Sequence, residues 1–499
     1  MKTSSRRTIA VLALTVSMAL GAAGVSCHNS RKVAPSEFEQ SRSALISSIK
    51  VVRHDGTEET FINGWIDGET FVGIDSSYAP HEIRVSEISH FVVYTFSKNQ
   101  TIALPSALIL PMSALGLIFS SISCPHVYAF DGEMWTLDAE PFSGAIARNA
   151  QKTDLAVLEH IRPVEGAYHL KLMNESSEIE YTDQISLVIA DHPASVEVLP
   201  DIDGRIVSVA GITPPVYAKT HTGRDLMGLF GKDGALSWEG DPGKGYADPA
   251  KPREEIRLKF PKPLKGDAAR LVVRGQNTTW SSRMLDDFLS TFGSLAEKKL
   301  SSLDGHPKAR EKIERFMKKN GVWIEVLVKR GEDWVQAGFI PEVGPNVAKT
   351  QVLTLEVPED AGPMLEVKLR WAPLFWHILK IGMGVPSDAV DASVVEEAPL
   401  EAVDAAQGDI GALLAHVDGK TYRTEKGAEA LVEFREPPEP EEGTMRTVLV
   451  KATGYYHMIV SKSKKASTLE MMNIILKKKG IDAYSLEKYI DFKKSTSKH

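Results

Sequence analysis

Residues 167–175 read AYHLKLMNE, residues 255–260 read EIRLKF and residues 365–371 read LEVKLRW. In the first stretch Tyr168, Leu170 and Leu172 share one face, and His169 and Lys171 the other. Ile256, Leu258 and Phe260 repeat the pattern, as do Leu365, Val367, Leu369 and Trp371 against Glu366, Lys368 and Arg370. Side chains alternate sides along an extended chain, so a period of two marks strands with one face on a core and one in water. Turn dipeptides punctuate the pattern at Asp203-Gly204, Asp233-Gly234 and Asp418-Gly419. Many short strands so punctuated predict a mostly β fold of tandem β-sandwich modules. A small N-terminal β-barrel-like unit, one hydrophobic segment and a helical hairpin insertion complete the expected fold class.

Working outward, residues 124–386 are expected to form a β-sandwich region. It begins with a hairpin in which Val127–Phe130 and Met134–Leu137 flank Asp131-Gly132-Glu133. A helical insertion is expected over 282–320. Leu285, Phe288, Leu289, Phe292 and Leu295 have helical spacing, and so do Ile313, Phe316 and Met317. Residues 387–407 hold six carboxylates and no basic residue, the composition of an acidic linker. Residues 408–461 read as a second, shorter β module. An approximate repeat relates the two modules: Phe260-x-x-Pro263 and Arg270–Val273 recur as Phe434-x-x-Pro437 and Arg446–Leu449. Residues 462–499 carry ten Lys against four acidic residues and read as a basic amphipathic helical tail, with a capping box at Ser467–Glu470.

On the other side, residues 43–100 alternate around Asp55-Gly56 and predict a small β domain. Residues 1–26 have a basic start and an uncharged apolar run, the form of an export signal. Gly24-Val25-Ser26-Cys27 resembles a bacterial lipoprotein cleavage box, which implies lipidation of Cys27; Gly24 departs from the usual aliphatic residue there, and ordinary cleavage nearby is the alternative. Residues 27–42 read as a polar tether. Residues 101–123 form the hydrophobic segment: Ile102 to Ser123 is 22 residues without a charge, long enough to cross a bilayer core of about 30 Å. A buried core segment is the other reading. A lipidated N-terminus outside the cell and one true span place the remainder in the cytoplasm, so the two membrane readings compete.

The chain has 499 residues, 43% hydrophobic and 25% charged, which excludes a wholly disordered chain or a many-span transporter. Its net charge of −8 supplies no basic field for nucleic acid, and two cysteines exclude a disulfide scaffold. No serine-hydrolase elbow, phosphate loop, zinc-protease motif or dinucleotide fingerprint appears, so no catalytic residue, metal or cofactor is assigned. Asp131, Glu133, Asp138 and Glu140 form the best acidic constellation, spaced for an acid/base pair or a calcium ion, although Asp131 and Glu133 lie in a turn that favours Asp for backbone reasons. Glu175, Glu178, Glu180 and Asp183 read as a charged strand edge. Cys124 has no nearby basic residue to activate it. Trp238, Trp280, Tyr455 and Tyr456 are the candidate binding residues, since flat rings bury area at little entropic cost; core packing is the competing role.

The stretch from Ser123-Cys124-Pro125 to Arg148, with Glu178-Ile179-Glu180-Tyr181-Thr182-Asp183 after it, resembles a family of bacterial envelope lipoprotein-like proteins. These share a greasy segment, a Ser-Cys-Pro-x-x-Tyr start and β-rich modules. The resemblance implies an exported, membrane-associated architecture and supplies no activity. The expected function is therefore a non-catalytic, membrane-anchored cell-envelope protein that binds or scaffolds. Its partners would be the membrane, through the N-terminal lipid and residues 102–123, and a protein or glycan. The alternative is a glycan-active hydrolase using the acidic group at 131–140.

Overall fold

The computed structural model describes residues 28–38, 46–61, 63–74, 80–96, 125–228, 251–262, 268–292, 294–358, 362–388, 394–459 and 479–496, with 230, 240, 246 and 248 as single positions. The export signal, Cys27, the hydrophobic segment, Cys124, Trp238 and the Ser467–Glu470 capping box lie outside these residues. The described chain is mostly β, and it divides into two compact units, Met1–Ser113 and Ala114–His499.

The first unit pairs His28–Val33 with Ile88–Phe96, which pairs in turn with Ile46–Arg53 and then Glu58–Phe61. A three-stranded meander, Asn63–Asp67, Thr70–Ile74 and Pro80–Arg84, forms its second sheet. Phe38 stacks on Phe91 at 4.0 Å and meets Phe71 edge-on at 5.6 Å. The tether expected at 27–42 is thus corrected: Val33 and Phe38 are buried. Two apolar side chains seat this otherwise polar stretch, and alternation alone does not reveal it.

The described residues of the second unit form four sheets. Sheet I has the strand order Gly408–Asp409, Glu401–Asp404, Glu429–Arg435, Ala167–Met173, His126–Phe130, Trp135–Ala139. Sheet II runs Lys152–Val157, Thr444–Met458, Glu178–Pro193, Val394–Glu397, with Tyr422–Thr424 also on Glu178–Pro193. Leu170, Leu172, Val432 and Phe434 from sheet I meet Leu187, Ile189 and Val450 from sheet II in one core. Sheet III (Val196–Pro200, Ile206–Thr213, Trp376–Pro386, Ala268–Asn277, Lys349–Glu356) and sheet IV (Tyr217–Thr220, Glu254–Pro261, Met364–Trp371, Ile324–Arg330, Asp333–Ile340) enclose another.

The sandwiches are nested rather than tandem. Residues 196–386 form the whole second sandwich, inserted between the two halves of the first. The separate module expected at 408–461 does not close on itself: Glu429–Arg435 pairs with Ala167–Met173, and Thr444–Met458 pairs with Glu178–Pro193. The acidic linker expected at 387–407 likewise supplies strands Val394–Glu397 and Glu401–Asp404. A stretch of 54 or so residues buries too little surface alone, and borrowing the earlier strands completes its core. The repeat survives this correction. In each copy the first strand lies in an outer sheet with Phe260 or Phe434 fully buried, and the next strand lies in the facing sheet.

The outer faces of sheets II and III pack together through Leu155, Val188 and Leu449 on one side and Leu199, Val209, Val272 and Val352 on the other, bridged by Val157 and Ile206. Helices α1 (Thr279–Ser290), α2 (Ser294–Asp304) and α3 (Ala309–Lys319) occupy the expected insertion as three helices, not a hairpin of two. Thr278 caps α1 by accepting from the Ser281 N–H. Met284, Phe288, Leu303, Ile313 and Met317 join the second core, as do Ile481 and Tyr484 of α4 (Ile481–Thr496).

Candidate functional site

Strand Glu178–Pro193 carries an irregularity that decides where its acids go. Its pairing with Thr444–Met458 shifts register between Thr182 and Gln184. A bulge adds one residue and reverses which parity faces inward. Glu178, Glu180 and Thr182 are buried before the shift, and Ile185, Leu187 and Ile189 are buried after it. Carboxylates and aliphatics therefore share one interior, and the charged strand edge expected at Glu178 and Glu180 is corrected. Asp183, the extra residue, accepts from the Gly419 N–H at 2.9 Å and from Gln151 Nε2 at 2.6 Å.

Glu178 and Glu180 are 3% and 2% exposed. Thr424 Oγ1 donates to Glu180 at 3.1 Å, while one oxygen of each carboxyl group has no hydrogen-bond partner among the described residues. Burial pushes both groups above the usual carboxylate range, and their mutual proximity adds to this at Glu178. Nearby, the Tyr422 hydroxyl donates to Asp404 at 2.5 Å.

A second cluster lies at the ends of His126–Phe130 and Trp135–Ala139. His126 Nδ1 meets Glu175, and Nε2 lies 3.4 Å from Glu140 and 3.2 Å from Asn346 Nδ2. Burial alone would depress the imidazole, but hydrogen bonds and charge from Glu140 and Glu175 outweigh it and raise the pKa to about 9. His126 conversely holds Glu175 below its usual range, helped by the Tyr128 hydroxyl, which donates to it at 2.7 Å.

Glu140 ties this cluster to the inserted sandwich. Its carboxylate accepts from the Asn346 N–H, the Val347 N–H and Asn346 Nδ2, each at 2.8 Å. A Cβ on Gly344 would lie 2.2 Å from the Glu140 carboxyl carbon, so glycine lets the backbone approach. The ion pairs Lys349–Asp154 and Arg274–Glu159 join the sandwiches elsewhere. Burial would raise Asp154, but Lys349 and Lys152 pull it below its usual range.

The acidic constellation read from sequence is divided among separate tasks. Asp131 accepts from the Glu133 and Met134 N–H groups, both at 2.8 Å, and organises the turn. Asp138 accepts from the His160 N–H at 2.8 Å and Nδ1 at 2.9 Å. Of the four carboxylates, only Glu140 joins Glu175 around His126. Nothing in the sequence signals that Asn346 meets a carboxylate 206 positions away.

The three candidate aromatic residues that are described lie in packed settings. Trp280 donates to Ser485 Oγ at 2.8 Å and meets Tyr489 edge-on at 6.2 Å, so it anchors α4. Tyr455 is buried and stacks on Tyr181 at 4.6 Å, and Tyr456 is 2% exposed. A separate pocket of about 280 Å³ is lined by Lys251, Arg253, Lys318, Lys319 and Arg370 among others. Arg253 already pairs with Asp482, Arg370 with Glu325 and Lys318 with Glu314. Among the described residues no group of three His, Cys, Asp or Glu side chains is arranged to hold a metal ion. No helix among them is long and apolar enough to cross a membrane.

No family model matches the chain, and no curated protein matches it. Among solved structures it is similar to a triple jelly roll protein of an archaeal virus, at 8% identity over 62% of this chain and 89% of that one, with a TM-score of 0.15. A GH31 alpha-xylosidase from Xanthomonas citri is similar at 8% identity over 85% of this chain and 38% of that one, with a TM-score of 0.14. A Sulfolobus Turreted Icosahedral Virus structure is similar at 10% identity over 62% of this chain and 91% of that one, with a TM-score of 0.14. At these scores none of them carries an argument about fold or function.

Proposed function

We propose that this chain is a non-catalytic cell-envelope protein, held at the membrane by lipid on Cys27 and by the oily segment 102–123, whose joined sandwiches present a rigid surface to a binding partner. One observation carries the reading. The ionisable groups that a hydrolase would gather in a cleft are engaged instead in the joint and in local turns: Glu140 takes three hydrogen bonds from Asn346 and Val347, Asp131 holds its own turn and Asp138 holds His160. A carboxylate held by fixed donors serves as a tie between two elements.

The test has two arms. In membrane fractionation the unaltered protein is expected to sediment with the bilayer, and Cys27→Ser is expected to shift it toward the soluble fraction. In glycan hydrolysis assays Asp138→Asn and the unaltered protein are expected to be equally inactive. Turnover that disappears in Asp138→Asn while thermal stability is kept would establish the hydrolase reading instead.

A further inference from the structure

The outward face of sheet I holds apolar and aromatic residues that the joint does not use, although the Tyr128 hydroxyl is engaged by Glu175. Cross-strand register places them in two rows over five strands. One row runs Leu137, Tyr128, Lys171, Leu431, Val403. The other pairs Trp135 with Phe130 at one end and His169 with Glu433 and Glu401 at the other. The Phe130 and Trp135 rings lie 5.0 Å apart, and Phe130 meets His169 edge-on at 6.3 Å. Lys171 Nζ sits over both Tyr128 and Trp135, at 5.2 Å and 5.3 Å. Leu431 and Val403 are 50% and 40% exposed. With strands about 4.8 Å apart, the rows extend about 19 Å.

Contiguous apolar surface of this kind marks an interaction site. Its composition selects the occupant. Glu401, Glu429 and Glu433 are set against Lys171 and Arg435 on the same face, a near balance that leaves little field to draw either a polyanion or a polycation. Charges lying within the apolar rows also oppose insertion into lipid. Rings beside carboxylates suit a ligand that is itself uncharged and amphipathic: apolar C–H faces to lie on the rings, and hydroxyl groups to donate to the carboxylates. We infer that the outward face of sheet I is a binding platform for an uncharged polysaccharide, with Trp135, Phe130 and Tyr128 as the stacking end and Glu433 and Glu401 as the hydroxyl-accepting end. This rests on the binding reading above and gives it a ligand class.

The experiment is affinity electrophoresis of the full chain in native gels containing hydroxyethyl cellulose, galactomannan or pullulan. Retardation is expected in at least one matrix. It is expected to weaken about tenfold in Trp135→Ala and severalfold in Leu431→Ser and Val403→Ser, exposed sites whose substitution keeps the melting temperature. Glu433→Gln should weaken it without altering mobility in a plain gel beyond the charge change. No retardation in any matrix overturns the assignment. So does binding to neutral or anionic phospholipid vesicles, or to a basic peptide, that is lost in the same variants while the polysaccharides show nothing. Cleavage of the matrix by the unaltered protein would sink the non-catalytic reading and leave the platform standing; normal fractionation without retardation would sink the platform alone.

Discussion

The two sandwiches of the second unit share an architecture and differ in how their interiors end. The inserted one is filled with large rings: Trp371, Trp376, Phe375 and Phe260 are each no more than 1% exposed, and α1, α3 and α4 close its core. The outer one is aliphatic through Leu187, Ile189 and Val450 and then turns polar at Glu178, Glu180, Thr424 and Asp404. Apolar packing tolerates a wide pH range, whereas a buried acid and a charged histidine bind stability to protonation. One half thus rests chiefly on buried rings, and the other carries the buried acid pair and the charged histidine.

Trp376→Ala tests the ring-filled half and carries the largest expected effect. It removes a buried ring and the Nε1–H bond to the Val322 carbonyl at 2.8 Å, and should cost about 3–5 kcal/mol in urea denaturation. Glu140→Ala breaks the link between the halves. It leaves the part-buried Asn346 and Val347 N–H groups without their acceptor, at about 1 kcal/mol for each donor, read by the same measurement.

The half that carries the acid pair and His126 is sharpened by pH. His126 is raised from 6.5 to about 9 in the folded state, so its contribution is full below pH 6.5 and is lost as pH rises through about 9. Glu178 and Glu180 are also raised, and the same sign applies: their protonated forms suit the interior, and stability falls as pH climbs above the ordinary carboxylate range. The urea midpoint is therefore expected to drop between pH 6 and pH 9.5, and Glu178→Gln with Glu180→Gln to flatten that drop. A midpoint that rises with pH would contradict the assignment of these groups. Tyr422→Phe removes one buried hydrogen bond to Asp404 and is expected to cost about 1–2 kcal/mol. Val403→Ser, on the open face, should stay within about 0.5 kcal/mol of the unaltered protein.

The strands around Leu170, Leu258 and Leu369 were legible because each alternates over one continuous stretch, and local period reports local facing. The hairpin turn at Asp131 was legible for the same local reason. Glu178 and Glu180 were not. Counting twos from Leu187 without a bulge puts them on the opposite face, and a single extra residue at Asp183 turns them inward. The joint was equally hidden, since Asn346 and Glu140 are brought together only once an entire sandwich has been inserted between two halves of another.

By itself, then, the order of residues determined that this chain is built from half-buried strands and where turns such as Asp131-Gly132 and Asp203-Gly204 fall, because these depend on neighbours a few positions apart. Which strands pair, which acids are buried, and that residues 394–458 complete a sandwich begun at 126 were decided only by tertiary structure, because burying one apolar face requires a partner face that may come from anywhere along the chain.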